Sequence, residues 1–374
     1  MAGIYFHIPF CRKACHYCDF HFSVSVKNKE AVLNAMRAEL EQSYAYLEGD
    51  RVDSIYFGGG TPSLLNCEDI GHFLDLLRRR VDLKDLEITL EANPDDLNEK
   101  KLDELLLAGI NRLSIGVQSF HDKDLRTLNR MHTGEDAKRS IQLAKQAGFE
   151  NINMDLIYGL PDSSLSEWQE NLDLFLELEL PHLSAYSLTY EDKTTFGKKL
   201  KNGEIVPLPE DTVIGEFHLL MSKLDAAGYG HYEISNFCLP EKHSRHNSSY
   251  WSGEKYLGIG PSAHSFNGKS RRWNVSNNAR YLKAVEQDLP FFEEEVLSER
   301  DRFNEYLLTS LRTSAGCSIL KVSRDYGDLR GKHLLGELQK LVKRGLMAQS
   351  NESFILSEKG KLVADKITSD LFEL

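Results

Sequence analysis

Three cysteines near the start of the chain are the residues whose spacing points most directly to chemistry. Cys11, Cys15 and Cys18 follow a C-x3-C-x2-C pattern within the segment FHIPFCRKACHYCDFHF. Three thiolates can hold three irons of a four-iron, four-sulfur cluster, which leaves the fourth iron open to an exchangeable ligand. A zinc site is the alternative, and it would need a fourth ligand such as His16 or His21. In the cluster interpretation, the open iron is the reactive position.

The composition is that of an ordinary globular protein, with 374 residues, 41% hydrophobic and 27% charged. Its formal charge of -12 argues against general nucleic-acid binding, and no apolar run is long enough to cross a bilayer. The start, MAGIYFHIPFC, lacks the pattern of a secretory signal, so we predict a reducing cytoplasmic setting. There Cys67, Cys238 and Cys317 are expected to be ordinary buried or partly buried thiols.

Short apolar strands alternate with longer amphipathic helical segments in the first half of the chain. This alternation implies right-handed strand-helix units and a parallel sheet. We expect an α/β fold with a partial (β/α)6 barrel of the TIM type, although periodicity alone does not exclude a doubly wound sheet. The predicted strands are Ile4–Ile8, Ser54–Phe57, Glu87–Glu91, Arg112–Val117, Asn151–Ile157 and His182–Leu188.

Each predicted strand ends in polar or chemically reactive residues. The six strand ends read FHIPFC, YFGGGTP, TLEANP, SIGVQSF, NMDLIYGLP and AYSLTYE. Because the carboxyl ends of parallel barrel strands meet at one mouth, these residues are expected to line one pocket. The alternative is that strand ends are polar only because loops are polar.

The second half of the chain lacks the regular alternation of strands and helices seen in the first. We predict a barrel over 1–205, a connecting region over 206–296 that packs on the barrel, and a C-terminal helical domain over 297–374. In the last of these, HLLGELQKLVKRGL followed by MAQSNESFILSEKG is typical of a winged helix. We expect this domain to serve in packing, with DNA binding as the alternative.

The motifs together resemble the radical S-adenosylmethionine superfamily. CRKACHYC after IYFHIPF, with FGGGTP closing the second strand, is similar to the family of oxygen-independent coproporphyrinogen III oxidase and its haem-chaperone branch. EANP, GVQSF, DLIYGLP, HNSSYW and the helical C-terminus fit in order, so the resemblance covers nearly the whole chain. It implies one [4Fe-4S] cluster held by the three cysteines, S-adenosylmethionine, and an electron donor for the cluster.

The resemblance also assigns contacts to S-adenosylmethionine, residue by residue. Glycines at the end of the second strand would let the backbone approach the amino group of the ligand, although they could equally form only a tight turn. Arg130 could instead pair with Asp155, and Asp155 could instead cap a turn. The assigned residues are Tyr5, Tyr17, Gly59, Gly60, Thr61, Glu91, Gln118, Arg130 and Asp155.

The haem-chaperone branch carries an H-N-x-x-Y-W stretch, which HNSSYW matches at His246, Asn247, Tyr250 and Trp251. The resemblance makes these residues candidates for haem binding. A neutral imidazole is a good axial ligand for haem iron, and aromatic rings offer flat faces to a porphyrin. The alternative is that the stretch is only a packed corner of the second domain.

Two features depart from the oxidase branch. The fourth cysteine of the oxidase pattern is absent, since Asp19 and Phe20 follow Cys18, and the first strand begins almost at residue 1, without the oxidase's N-terminal extension. We therefore predict a haem chaperone that delivers haem to acceptor proteins. The alternatives are an oxygen-independent coproporphyrinogen III dehydrogenase, which converts two propionates to vinyl groups, and a zinc-bound barrel without radical chemistry. The resemblance associates this branch with dimerisation and peripheral membrane contact, and it assigns no catalytic residue.

Overall fold

Six parallel strands, with helices between them, form the first half of the chain in the computed structural model, which describes residues 1–373. The strands pair in chain order, each parallel to the next. This confirms the predicted α/β fold and the six predicted strands. The elements are β1 (Ala2–Ile8), α1 (Lys29–Ser43), β2 (Val52–Gly59), α2 (Cys67–Arg78), β3 (Glu87–Ala92), α3 (Glu99–Ala108), β4 (Arg112–Gln118), α4 (Asp122–Thr127), α5 (Gly134–Ala147), β5 (Ile152–Tyr158), α6 (Leu165–Glu177) and β6 (His182–Ser187).

Local sequence signals fix where these helices begin and end. The Thr133 hydroxyl accepts from the backbone N–H of Asp136, and the Asp136 carboxylate accepts in return from the Thr133 N–H, which forms a capping box at the start of α5. Gly148 then ends the helix with a φ of 103°, a left-handed conformation that glycine adopts at little cost. Such stops keep the helices short enough to return the chain to the next parallel strand.

The region after β6 extends the same sheet at both edges. β9 lies parallel to β1, so the parallel sheet has one more strand than the sequence predicted. The order β12-β11-β10-β9-β1-β2-β3-β4-β5-β6-β8-β7 leaves the barrel open. The elements are α7 (Thr195–Lys201), α8 (Glu210–Ala226), β7 (Gly230–Glu233), β8 (Asn236–Cys238), α9 (Arg245–Ser252), β9 (Lys255–Ile259), β10 (His264–Phe266), β11 (Ser270–Asn274), α10 (Asn278–Glu286) and β12 (Phe292–Val296).

The C-terminal elements have a small sheet and a core of their own. Phe303, Leu307, Leu338 and Phe354 are buried together there. A long helix, α13, is followed by a hairpin, which is the helix-and-wing order that the sequence predicted; the domain boundaries remain predictions. The elements are α11 (Glu299–Ser310), β13 (Cys317–Ser318), α12 (Ile319–Tyr326), α13 (Asp328–Lys343), β14 (Met347–Ser350), β15 (Ser353–Leu356), α14 (Glu358–Lys361) and α15 (Ala364–Asp370).

Within residues 1–373, no helix combines the length and the apolar character that crossing a membrane would require.

Candidate functional site

A cavity of about 480 Å³ opens at the carboxyl ends of the parallel strands, where barrel proteins carry their active sites. It brings together most of the residues that the sequence analysis selected, from separate strands and loops. Tyr5 is not in its lining. The selected residues that do line it are Cys11, Cys15, Tyr17, Cys18, Gly59, Gly60, Thr61, Glu91, Gln118, Arg130 and Asp155.

The cysteine loop is fastened to the barrel by backbone hydrogen bonds. The Cys11 N–H donates to Ser23 O (3.0 Å), and the Ser23 N–H donates to Pro9 O (2.9 Å), so the two ends of the loop are held side by side. In its middle, the His16 N–H donates to Leu128 O at 3.1 Å. The loop is therefore positioned by the fold even though it contains no helix or strand between Cys11 and Cys18.

The two histidines considered as extra metal ligands both use a ring nitrogen elsewhere. His16 Nδ1 lies 2.9 Å from Thr127 O, and His21 Nε2 lies 2.7 Å from Asn278 Oδ1. Among the described residues, no three histidine, cysteine or acidic side chains form a group that would hold a single metal ion.

The three loop thiols are free and half-buried at the cavity. Burial raises the pKa of Cys11, and it raises the pKa of Cys18 to about 12, because a thiolate is poorly solvated there. A bound metal supplies the positive charge that deprotonates such a thiol. Arg130 adds a fixed cation, with Nη1 3.5 Å from Cys15 Sγ. Three soft donors beside one half-buried cation suit a cluster of net negative charge.

The glycine-rich turn after β2 lies directly against the cysteine loop. The Gly60 N–H donates to Ile8 O (2.9 Å), and the Thr61 N–H donates to Phe10 O (2.7 Å). A Cβ on Gly60 would lie 2.7 Å from Phe10 O, closer than side-chain carbons approach a carbonyl. Gly59 has a φ of 103°, a conformation that favours glycine. Both glycines are thus needed for the turn to pack on the loop, and the turn forms one wall of the cavity.

Two half-buried carboxyl groups face the cavity, one from β3 and one from β5. Glu91 accepts hydrogen bonds from Tyr56 Oη (2.8 Å) and the Gly59 N–H (3.1 Å), and burial raises its pKa to about 7. Asp155 accepts from Asn153 Nδ2 at 2.7 Å, and burial raises its pKa to about 6. A cationic ligand in the cavity would favour the ionised form of both groups.

Side-chain hydrogen bonds hold Arg130 at the cavity, and unusual backbone geometry presents Gln118 to it. Arg130 Nη2 donates to Asn93 Oδ1 (2.6 Å) and to Gly116 O (2.7 Å), and Arg130 makes no ion pair with Asp155. Gln118 has a φ of 69°, which is unusual for a residue with a side chain, and it follows a bulge in β4. Such local strain is typical of residues that a fold presents to a ligand.

The HNSSYW stretch forms most of α9, at the opposite end of the barrel. The backbone N–H groups of Arg245 and His246 donate to the carboxylate of Glu87, the first residue of β3, at 3.0 Å each. This carboxylate neutralises the positive end of the helix. Because Glu87 lies at the amino end of its strand, α9 closes the floor of the barrel, away from the cysteine loop.

His246 is enclosed in that floor. Its Nδ1 lies 2.8 Å from Ser54 Oγ, its Nε2 lies 3.1 Å from Tyr250 Oη, and its ring stacks on Tyr56 at 4.9 Å. Burial lowers the pKa of His246 to about 3, so the ring is neutral. Tyr5 also lies in this interior, with its ring 6.3 Å from that of His246. Haem ligation by His246 would require its present hydrogen bonds to be broken.

The other residues of the stretch differ in exposure. Tyr250 packs edge-on against Tyr256 at 4.5 Å, and Asn247 is half-buried. Trp251 is half-buried and lines a second cavity beside the C-terminal elements. Of the predicted haem-binding residues, only Trp251 lines a cavity described here.

Several residues of the first cavity were not selected from the sequence. Asn93 and Ser114 hold Arg130 and Asp155 in place, and Tyr186 and Thr189 extend the lining at the end of β6. Asn93 lies in the EANP segment, and Tyr186 lies in AYSLTYE, so the strand-end rule alone would have found both. Ser114 lies in the middle of β4 and gave no comparable signal.

Comparison with known proteins adds an independent line of evidence. The pattern of the radical SAM superfamily matches residues 5–175. The heme chaperone HemW of Bacillus subtilis is 35% identical over 98% of this chain and 98% of its own length. That of Lactococcus lactis is 35% identical over 95% and 93%, and that of Escherichia coli is 40% identical over 70% and 69%.

Among solved structures, the coproporphyrinogen III oxidase HemN of Escherichia coli, described as a radical SAM enzyme, superposes with a TM-score of 0.84. It is 25% identical, and the match covers 99% of this chain and 90% of that one. The two proteins therefore share the whole fold, including the C-terminal elements.

Proposed function

Because the chain belongs to the HemW family of the radical SAM superfamily, we propose that it is a haem chaperone. It binds one [4Fe-4S] cluster, S-adenosylmethionine and haem, and it delivers haem to acceptor proteins. The structural observation that carries the cofactor part is the convergence of three free thiols, a glycine turn and two half-buried carboxyl groups on one cavity.

Cys11, Cys15 and Cys18 would hold the cluster, and Arg130 would offset its negative charge beside Cys15. When bound and reduced by an electron donor, the cluster supplies the electron for reductive cleavage of the sulfonium of S-adenosylmethionine. The protein residues hold the ligand in place and limit the access of water to it.

The turn formed by Gly59, Gly60 and Thr61 would bring backbone groups close to the amino acid part of S-adenosylmethionine. Glu91, behind that turn, would pair with the cationic part of the ligand or accept from a ribose hydroxyl. Gln118, Asp155 and Tyr17 would complete the pocket. Tyr5 lies outside the lining, in the barrel interior, and would support the pocket from there.

Haem delivery is favoured over oxidative decarboxylation by the residue at the fourth position of the oxidase pattern. Phe20 occupies it, is 71% exposed and borders the cavity, so no fourth thiol is available there. A homodimer and peripheral membrane contact enter the proposal only through the resemblance to this branch.

Metal analysis of anaerobically prepared protein tests the cluster. The parent protein is expected to contain about four irons with matching acid-labile sulfide per chain. Cys15→Ser removes a ligand and should lose most of the iron and the brown absorbance. Cys67→Ser, which changes a half-buried thiol outside the cavity, is the matched control and should retain both. Zinc in place of iron, or a brown Cys15→Ser protein, would overturn the assignment.

Haem transfer tests the chaperone function. The haem-loaded protein is mixed with an apo-acceptor such as apomyoglobin, and the absorption spectrum is followed with time. The proposal predicts saturable haem binding by the chain and then the spectrum of the loaded acceptor. A chain that binds no haem, or that never releases it to an apo-acceptor, is not a haem chaperone.

A further inference from the structure

Arg112, the first residue of β4, is a cation enclosed inside the barrel. It is only 1% exposed. Within residues 1–373, no carboxylate oxygen lies within 4.0 Å of its guanidinium nitrogens, and its Nε makes no hydrogen bond. An unpaired charge in a protein interior destabilises the fold, so its presence here indicates a role.

The alternation of β4 places Arg112 on the face that looks into the first cavity. Successive side chains of a strand point to opposite faces. Leu113 and Ile115 belong to the main hydrophobic core, whereas Ser114 and Gly116 line the cavity. Arg112 shares the inner face with Ser114 and lies two residues, about 7 Å, deeper along the strand.

The two acidic side chains of the cavity lie on the same inner face, one level above Arg112. Glu91 is the register partner of Ser114, and the Ser114 hydroxyl donates to Asp155 Oδ2 at 3.3 Å. Arg112 itself pairs in register with Thr89, which precedes Glu91 by two residues on β3. The cation therefore lies beneath both carboxyl groups, without touching either.

We infer that Arg112 is a positioning residue for S-adenosylmethionine, because its charge holds Glu91 and Asp155 in the ionised form that faces the cationic ligand. This inference rests on the proposed binding of S-adenosylmethionine. It adds a residue that lies outside the cavity lining and acts through the two carboxylates.

The charge balance of the cavity supports this role. Two carboxylates that share a site repel each other, and one of them tends to keep its proton. A cation beneath them offsets one negative charge and leaves the other for the net positive charge of S-adenosylmethionine. Arg130 is committed elsewhere, since it donates to Asn93 and Gly116 and lies beside Cys15.

The pKa values of the two acids respond to the same cation. Desolvation is the largest influence and raises the pKa of both Glu91 and Asp155, while the charge of Arg112 lowers both. Other titratable groups surround the two acids on the neighbouring strands, on α9 and on the cysteine loop. Burial keeps the tyrosines and histidines among them neutral between pH 6 and 8, and Cys11 is a proposed cluster ligand, so none replaces Arg112 as a cation. These groups are Tyr5, His7, Tyr17, Tyr56, Tyr186, His246, Tyr250 and Cys11.

The test is equilibrium binding of S-adenosylmethionine to the anaerobically reconstituted protein between pH 6 and 8.5. Arg112→Met removes the charge, and an apolar side chain of similar length in place of a buried charge is compatible with folding. The midpoint of the pH profile should rise by about one unit. Binding should be about fivefold weaker at pH 7 and only about twofold weaker at pH 8.5, with the iron content unchanged.

Two further variants separate charge from structure. Arg112→Lys keeps the positive charge and should restore the parental midpoint. Thr89→Val removes a buried hydroxyl that has no hydrogen-bond partner, at the position beside Arg112, and should keep the parental profile. Circular dichroism checks folding, and Arg112→Gln gives the same comparison if Arg112→Met does not fold.

A merely structural role for Arg112 would weaken binding equally at every pH. A folded neutral variant with the parental midpoint, or an Arg112→Lys protein shifted as far as Arg112→Met, would overturn this inference and leave S-adenosylmethionine binding intact. If the parent protein binds no S-adenosylmethionine, the proposed cofactor and this inference fail together.

Discussion

At the scale of single residues, Glu91 is the acid whose protonation state should matter most for the first cavity. It is half-buried beside the glycine turn, where it accepts hydrogen bonds from Tyr56 and the Gly59 N–H. Desolvation, the largest influence, acts together with the nearby Asp155 to raise its pKa to about 7, against the lowering effect of the two hydrogen bonds. The protonated and ionised forms of Glu91 are therefore present in similar amounts near neutral pH.

We predict that S-adenosylmethionine binds more tightly as the pH rises from 6 to 8. The ionised carboxylate attracts the cationic ligand, and its fraction rises as the pH passes through a pKa of about 7. The dissociation constant should fall by about tenfold over this range and then level off. Equilibrium binding to the reconstituted protein at several pH values measures it.

Glu91→Gln is the control for that experiment, because it keeps the shape and removes the titration. The variant should bind more weakly at pH 8 and show little dependence on pH. If Glu91→Gln kept the pH dependence of the parent protein, another group would be responsible. If the parent protein bound S-adenosylmethionine more weakly as the pH rises, the role given to Glu91 would be contradicted.

At the scale of elements, the cysteine loop depends on the turn that follows β2. The turn donates two backbone hydrogen bonds to the segment immediately before Cys11, and Gly60 has no room for a side chain. Two parallel neighbours, β1 and β2, thus carry the cysteine loop and the glycine turn of the proposed cofactor site at their carboxyl ends. A substitution in the turn should therefore shift the positions of the three thiols.

Gly60→Ala is predicted to lower the iron content without unfolding the barrel. The added methyl group would push against Phe10 O and Ile8 O, at a cost of about 1–3 kcal/mol in packing strain. Iron and sulfide analysis, with circular dichroism to check folding, measures the outcome. Gly71→Ala in α2, where a Cβ meets nothing within 4 Å, is the control and should retain full iron. Equal iron in both variants would contradict the coupling.

The sequence predicted the elements well where local signals were strong. All six barrel strands were found, since apolar runs bounded by turns mark them clearly. β9 was missed as part of the parallel sheet, because only a tertiary contact with β1 makes this short strand parallel. Gln118 could be selected from its motif, but the bulge that gives it a positive φ could not be read from the sequence.

At the scale of the whole molecule, the two ends of the barrel carry different features. The cysteines and the glycine turn lie at the carboxyl ends of the strands, while α9 and the second cavity, beside the C-terminal elements, lie at the amino ends. The sequence predicted that the strand-end residues line one pocket, but it did not predict where the HNSSYW stretch lies relative to that pocket. It could not show that His246 is enclosed in the floor, because this depends on contacts with Ser54 and Tyr56, far away in the chain.

This separation predicts that cluster loss and haem loss can be produced independently. Cys15→Ser should lose iron and retain haem binding, because α9, which carries the predicted haem-binding stretch, lies at the other end of the barrel from the cysteine loop. Iron analysis and haem titration on the same preparations measure both. Parallel loss of both properties in a folded Cys15→Ser protein would contradict two separate sites.

The most direct test of the central claim sets haem carriage against oxidase activity in one sample. Reconstituted protein is incubated anaerobically with coproporphyrinogen III, S-adenosylmethionine and reductant, the products are analysed, and the same preparation is titrated with haem. The account predicts no protoporphyrinogen IX and one haem bound per chain. Formation of protoporphyrinogen IX, or the absence of haem binding, would contradict it.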